Sequence, residues 1–133
     1  MTITGSCEFS AVMLELSGKL RDSTACHCTQ CHKTLGHYWA ANSVLTEQLK
    51  LFKSKSLKCY RSSGKVHRRF CTGHGSSGFF QPDRKGCTAV GASTLDGATG
   101  LHKQKHNYIK SKGYYFCIAE DAPQLPASST NGA

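Results

Sequence analysis

Three cysteines within six residues constrain this sequence more than any other feature: Cys26-His27-Cys28-Thr29-Gln30-Cys31, a C-x-C-x2-C run. Three thiols that close converge on one ion if the backbone turns around it. Zinc suits thiolates, at about 2.3 Å in a tetrahedral site. Without a metal the same three thiols would be an oxidation hazard. The run therefore reads as a zinc site at Cys26, Cys28 and Cys31. Three protein ligands leave a fourth position open, which is the mark of catalytic zinc. His27 or His32 filling that position would make the site structural instead.

A second group is more scattered. Cys71-Thr72-Gly73-His74-Gly75 is a C-x2-H turn whose glycines let the backbone fold around an ion. It supplies two ligands and needs partners from elsewhere, and Cys7 is the candidate. Cys59, Cys87 and Cys117 each sit alone in apolar or strand-like surroundings and read as small buried hydrophobes. His37, His67, His102 and His106 are isolated and read as surface or satisfied core residues.

The rest of the chain reads as many short strands joined by glycine turns, hence a mainly β domain. Residues 6–16 look like strand, with Ser17-Gly18 as a turn. Leu49–Tyr60, Lys65–Phe70 and Cys87–Ala92 are further strand candidates, as are His106–Ile109 and Tyr114–Ile118. Residues 71–78 form a tight loop. No long helical stripe is present. The 133 residues suit one domain, over 1–125, and the small polar residues 126–133 read as a frayed tail.

Basic residues number 17 against 8 acidic ones. Eight of them lie between Lys50 and Arg69 with no acid among them: Lys50, Lys53, Lys55, Lys58, Arg61, Lys65, Arg68 and Arg69. Such a stretch attracts phosphates or the carboxylates of a small substrate, or is simply a solvated strand face. Aromatics do not interleave with it as a base-stacking surface requires, so nucleic acid is not the expected partner. No stretch reaches the roughly 20 apolar residues of a membrane span. The N-terminus lacks the basic and apolar regions of a secretory signal. The cytoplasm is the expected compartment, and there cysteines serve as ligands or thiols rather than disulfides. Phosphate-binding loops, a nucleophile elbow, dinucleotide-binding glycines and the ligand spacing of a DNA-reading finger are all absent.

Four blocks resemble one known family. Gly5-Ser6-Cys7-Glu8-Phe9-Ser10-Ala11-Val12 is similar to a G-S-C-x-C-G-A-V opening, and Ala25 to Gly36 (ACHCTQCHKTLG) to a C-H-C-x-x-C-R-K-x-x-G core. Arg69 to Phe80 (RFCTGHGSSGFF) is similar to F-C-x-x-C-G-S-x-L-F, and residues 91–96 with 114–123 to G-S-L-D and a closing segment. These are blocks of the glutathione-dependent formaldehyde-activating enzymes and their centromere protein V-type relatives. The resemblance implies a single Mss4-like domain of short antiparallel sheets stabilised by zinc. It also implies a carbon–sulfur lyase, similar to S-hydroxymethylglutathione synthase, whose partners are a thiol such as glutathione and a small carbonyl such as formaldehyde. Cys26, Cys28 and Cys31 then hold the catalytic zinc.

The family's structural zinc uses two cysteines of the opening block and two of the third. Here Cys7 and Cys71 match, His74 replaces one cysteine and Phe9 stands at the other. If residues 7 and 9 share a strand face, Phe9 points at the metal position. That second site is then weak, completed by water, or empty with Phe9 packed into it. Two rival readings remain: a zinc-stabilised binding module that uses the basic surface, and a decayed enzyme that keeps only the fold.

Overall fold

A computed structural model of the chain describes residues 2–8, 10–73, 75–83 and 86–128. Ten strands and one short α-helix follow in order: β1 Thr2–Ser6, β2 Met13–Ser17, β3 Ser23–Cys26, α1 Thr29–Leu35, β4 Trp39–Leu45, β5 Leu49–Lys53, β6 Leu57–Ser63, β7 Val66–Cys71, β8 Ser77–Pro82, β9 Cys87–Gly91 and β10 Lys103–Asn107. The mainly β class read from the sequence is the class observed. Strands β1, β2 and β5 form a small sheet; the other seven form one sheet in the order β10-β3-β4-β9-β8-β7-β6. Pairing is antiparallel except between β10 and β3, which run parallel. The connection that returns the chain from β9 to β10 makes that exception.

Two-residue periodicity divides the side chains between two cores. Leu14 and Leu16 of β2 point inward and meet Val44, Phe79 and Val90 of the large sheet, with Cys7, Val12 and Cys71 in the same cluster. Alternate residues of those same strands face the other way. Trp39 and Ala41 of β4 pack with Cys31 on the opposite face of the large sheet, against Cys26, Cys28, Phe80 and Ala89. One face of the large sheet is thus closed by the small sheet, and the other carries the cysteine triplet.

The sheets meet closely at Gly5, which bridges to Leu95. A Cβ at Gly5 would lie 2.5 Å from the Thr94 carbonyl oxygen, so backbone would have to move. Gly5→Ala is expected to lower unfolding stability by about 1–3 kcal/mol, the usual cost of overpacking. A urea midpoint equal to wild type would contradict this.

Several local expectations are corrected. The first hairpin is real, but its strands are β1 and β2, and between them Cys7 N–H donates to Val12 O (3.1 Å). Cys7 therefore does not lie on a strand. Phe9 itself lies outside the described residues, as does His74. Ser54–Ser56 interrupt the strand read over 49–60, and residues 114–118 form no strand. Cys59 and Cys117 are exposed and Cys87 is half-buried, so none is a core hydrophobe. At the start of the expected tail, Pro126 and Ala127 accept backbone hydrogen bonds from Lys110 and Tyr108. Residues 129–133 lie outside the described residues.

Candidate metal centre

Cys26 ends β3, Cys28 caps the N-terminus of α1, and Cys31 lies in that helix's first turn. The strand stops where the helix begins, so the backbone turns around the three thiols. Their Sγ atoms all lie within 4.8 Å of one another, the one such metal-capable group among the described residues. Cys28 Sγ accepts from Cys31 N–H at 3.4 Å, doing the work of a capping hydroxyl. At the other end Gly36 takes φ 88° and donates to His32 O at 2.8 Å; the left-handed conformation suits glycine and stops the helix after two turns. The helix was not legible beforehand because seven residues are too few to show a stripe.

A donor set of three thiolates with mutual spacing this short fits a thiophilic, tetrahedral ion such as zinc. Neither His27 nor His32 joins the cluster. The three thiols line a cleft of about 450 Å³ together with Trp39, Arg68 and Phe80.

Within the triplet the thiols are not equivalent. Cys28 accepts from Cys26 and Cys31, from the Cys31 N–H, and lies near Arg68; together these hold it far below the ordinary thiol range. Cys26, hydrogen-bonded to Cys28 and Cys31 and partly buried, is pushed up. Arg68, on β7, places Nη1 and Nη2 each 3.9 Å from Cys31 Sγ. Its guanidinium stacks over Phe80 at 4.8 Å and stands 5.9 Å from the Trp39 ring. Of the basic residues noted in the sequence, Arg68 is the one aimed at the thiols. Arg61 is paired with Asp83 at 3.0 Å, where His67 also bonds.

Behind the triplet lies a polar chain that sequence reading missed. His27 is fully buried, and its Nε2 shares a 2.8 Å hydrogen bond with Nδ1 of His106, itself 1% exposed. His106 Nε2 donates to Glu120 Oε1 at 2.6 Å. A carboxylate only accepts, so His106 Nε2 carries the proton it donates to Glu120, and a further proton is shared between His106 Nδ1 and His27 Nε2. Burial, with the charges of His106, Lys112 and Lys103 nearby, pushes His27 down to about 4, so it is neutral at pH 7. Phe116 stacks on His27 at 5.8 Å, and Tyr115 OH donates to Gly36 O, so the closing segment seals this side. No spacing rule could have linked His106 to His27, which lie 79 residues apart.

Glu120 also pairs with Lys103 at 2.5 Å. Lys103, then His106, hold its carboxyl below the ordinary 4.5. A carboxyl depressed in the folded state adds stability above about pH 4.5 and loses it as pH falls through the folded value. Glu120→Gln should therefore lower Tm at pH 7, with the difference from wild type shrinking toward pH 3. An equal difference at both pH values would contradict this.

Cys7 and Cys71 are buried in the core between the sheets. Cys7 Sγ accepts from Val12 N–H at 3.2 Å.

The sequence profile of the family described as glutathione-dependent formaldehyde-activating enzyme matches residues 2–111. The chain belongs to this family. A Rhodobacter sphaeroides protein of known crystal structure shares the fold, with a TM-score of 0.62 at 18% identity over 91% of this chain and 98% of that one. No curated protein sequence matches the chain. No helix among the described residues is long and apolar enough to cross a membrane.

Proposed function

We propose that this member of the formaldehyde-activating family is a zinc-dependent carbon–sulfur lyase. It adds a glutathione-like thiol to a small carbonyl, formaldehyde being one, and reverses that addition. One observation carries the reading: the three converging thiols border an open cleft beside a guanidinium. Zinc held by Cys26, Cys28 and Cys31 would favour the thiolate form of an incoming thiol at neutral pH. In the addition the thiolate electron pair forms the C–S bond. The carbonyl π pair moves to oxygen, which takes a proton from water. Negative charge thus passes from sulfur to oxygen, and the terminal N–H groups of Arg68 stabilise it beside the triplet. Trp39 and Phe80 form an apolar wall that limits water around that charge. The buried His27–His106 pair, tied to Glu120 at the surface, holds the loop between the first two ligands.

A second ion at Cys7, Cys71 and His74, weaker than the first or absent, belongs to the same proposal, imidazole being an acceptable zinc ligand in place of thiolate. A reducing cytoplasm suits a protein that works through thiols. The rival reading, a binding module using the basic strands, requires polyanion binding that weakens steeply with salt.

The test is the rate at which zinc-loaded protein exchanges free glutathione with its formaldehyde adduct, followed by NMR against the uncatalysed background. Acceleration that disappears on chelation is expected. No acceleration for any simple thiol and aldehyde would end the enzymatic reading.

A further inference from the structure

Among the described residues, six buried side-chain nitrogen or oxygen atoms make no hydrogen bond, and four belong to residues lining the one cleft beside the triplet. They are Arg21 Nε, Thr24 Oγ1, Arg68 Nε and Asn107 Oδ1. Buried polar atoms are nearly always paired, and each orphan costs about 1–3 kcal/mol. Four such orphans around one cleft mark its lining as suited to polar groups that a ligand brings.

Arg21 and Arg68 differ in what they can do. Arg68 has both terminal nitrogens turned to Cys31 and its face on Phe80. Arg21 has no ion pair and no hydrogen bond from its guanidinium among the described residues. Its backbone is nonetheless fixed: fully buried Asn42 donates to Arg21 O at 2.7 Å and accepts from Ser23 Oγ at 3.2 Å. Burial lowers the Arg21 guanidinium from its ordinary value, so holding it charged there has a cost. Lys105 of β10 is lowered by burial and by the Arg21 charge, and it too has no acidic partner among the described residues. Thr24, next along the chain on β3, is 8% exposed, and its hydroxyl is one of the four orphans. Two half-buried cations without a counter-ion, beside an unpartnered hydroxyl, form an anion site.

Resting on the thiol–carbonyl reading of this cleft, we infer that Arg21 and Thr24 bind a carboxylate of the thiol substrate, so that the enzyme selects carboxylate-bearing thiols over neutral ones. The carboxylate accepts from the Arg21 fork and the Thr24 hydroxyl while the sulfur lies toward the cysteine triplet. Asn107 Oδ1 is placed to accept an N–H of the same molecule, which suits an amino-acid or peptide thiol.

The test uses the full chain loaded with zinc, and the quenching of Trp39, its only tryptophan, which lines the cleft. Dissociation constants are measured for glutathione and for its diethyl ester, in which both carboxylates are masked. Wild type should bind the acid about tenfold tighter or more, the worth of a charge-assisted pair. Arg21→Gln should remove that preference by weakening the acid alone, and Thr24→Val should reduce it. Lys53→Gln, an exposed control on β5, should leave the preference intact. Equal binding of acid and ester by wild type would overturn the inference without any variant. So would a preference that survives Arg21→Gln, or no binding of either thiol at millimolar concentration. An Arg21-dependent preference without thiol–carbonyl exchange would sustain the site and remove the lyase reading. Exchange without that preference would do the reverse.

Discussion

Cys31→Ser is expected to lower zinc affinity by roughly two to three orders of magnitude, about one ligand's share of the 10–16 kcal/mol that thiolate-rich sites supply. Cys31 is 1% exposed and sits in the first turn of α1, so no other side chain can swing into its place. Serine's hydroxyl stays protonated at neutral pH and offers a hard oxygen where zinc prefers sulfur. The change also removes the acceptor that both terminal nitrogens of Arg68 face. Competition with a chromophoric chelator measures the loss directly. Cys59→Ser is the matched control, since Cys59 is exposed on β6 and lies outside the triplet. A Cys31→Ser protein that competes for zinc as wild type does would refute the assignment of the third ligand.

The second large effect is at Arg68. Arg68→Met keeps an apolar stem over Phe80 and Trp39 but removes the charge beside the thiols. Outer partners of metal ligands are typically worth 10–100-fold, and kcat for thiol–carbonyl exchange should fall by about that factor. Arg68→Lys should recover little, because an ammonium cannot present two parallel donors or stack flat on the ring. Both variants should keep the fold. Exchange at the wild-type rate in Arg68→Met would show that the guanidinium serves packing alone.

What the sequence revealed and what it hid follow from distance along the chain. The triplet was legible because its ligands are local: six residues contain the whole metal-facing turn. The sheet-rich class was legible because alternation in segments such as Met13–Ser17 is also local. The groups that tune the site come from far away. Arg68 stands 37 residues from Cys31, His106 stands 79 from His27, and Glu120 follows in a segment without regular structure. The basic run between Lys50 and Arg69 suggested a single charged face, yet strand alternation sends its members in different directions. Arg61 goes to Asp83, Arg68 goes to the cleft, and Lys50 lies over Phe52 at 5.0 Å. Arg21 and Thr24 gave no signal at all, because an unpartnered group is recognisable only once its neighbours are known. The start of the first hairpin misled for another reason: Cys7 to Ala11 alternates apolar and polar residues as a strand would, but Cys7 N–H turns back to Val12 O.

Native mass spectrometry of the intact chain, with and without glutathione, on wild type and Cys28→Ser, bears most directly on the metal centre. Wild type should carry one tightly held zinc, together with a glutathione adduct that forms only when that zinc is present, and Cys28→Ser should lose both. Wild type that binds no zinc, or zinc that survives Cys28→Ser, would contradict the assignment of Cys26, Cys28 and Cys31 as the ligands of a thiol-activating centre.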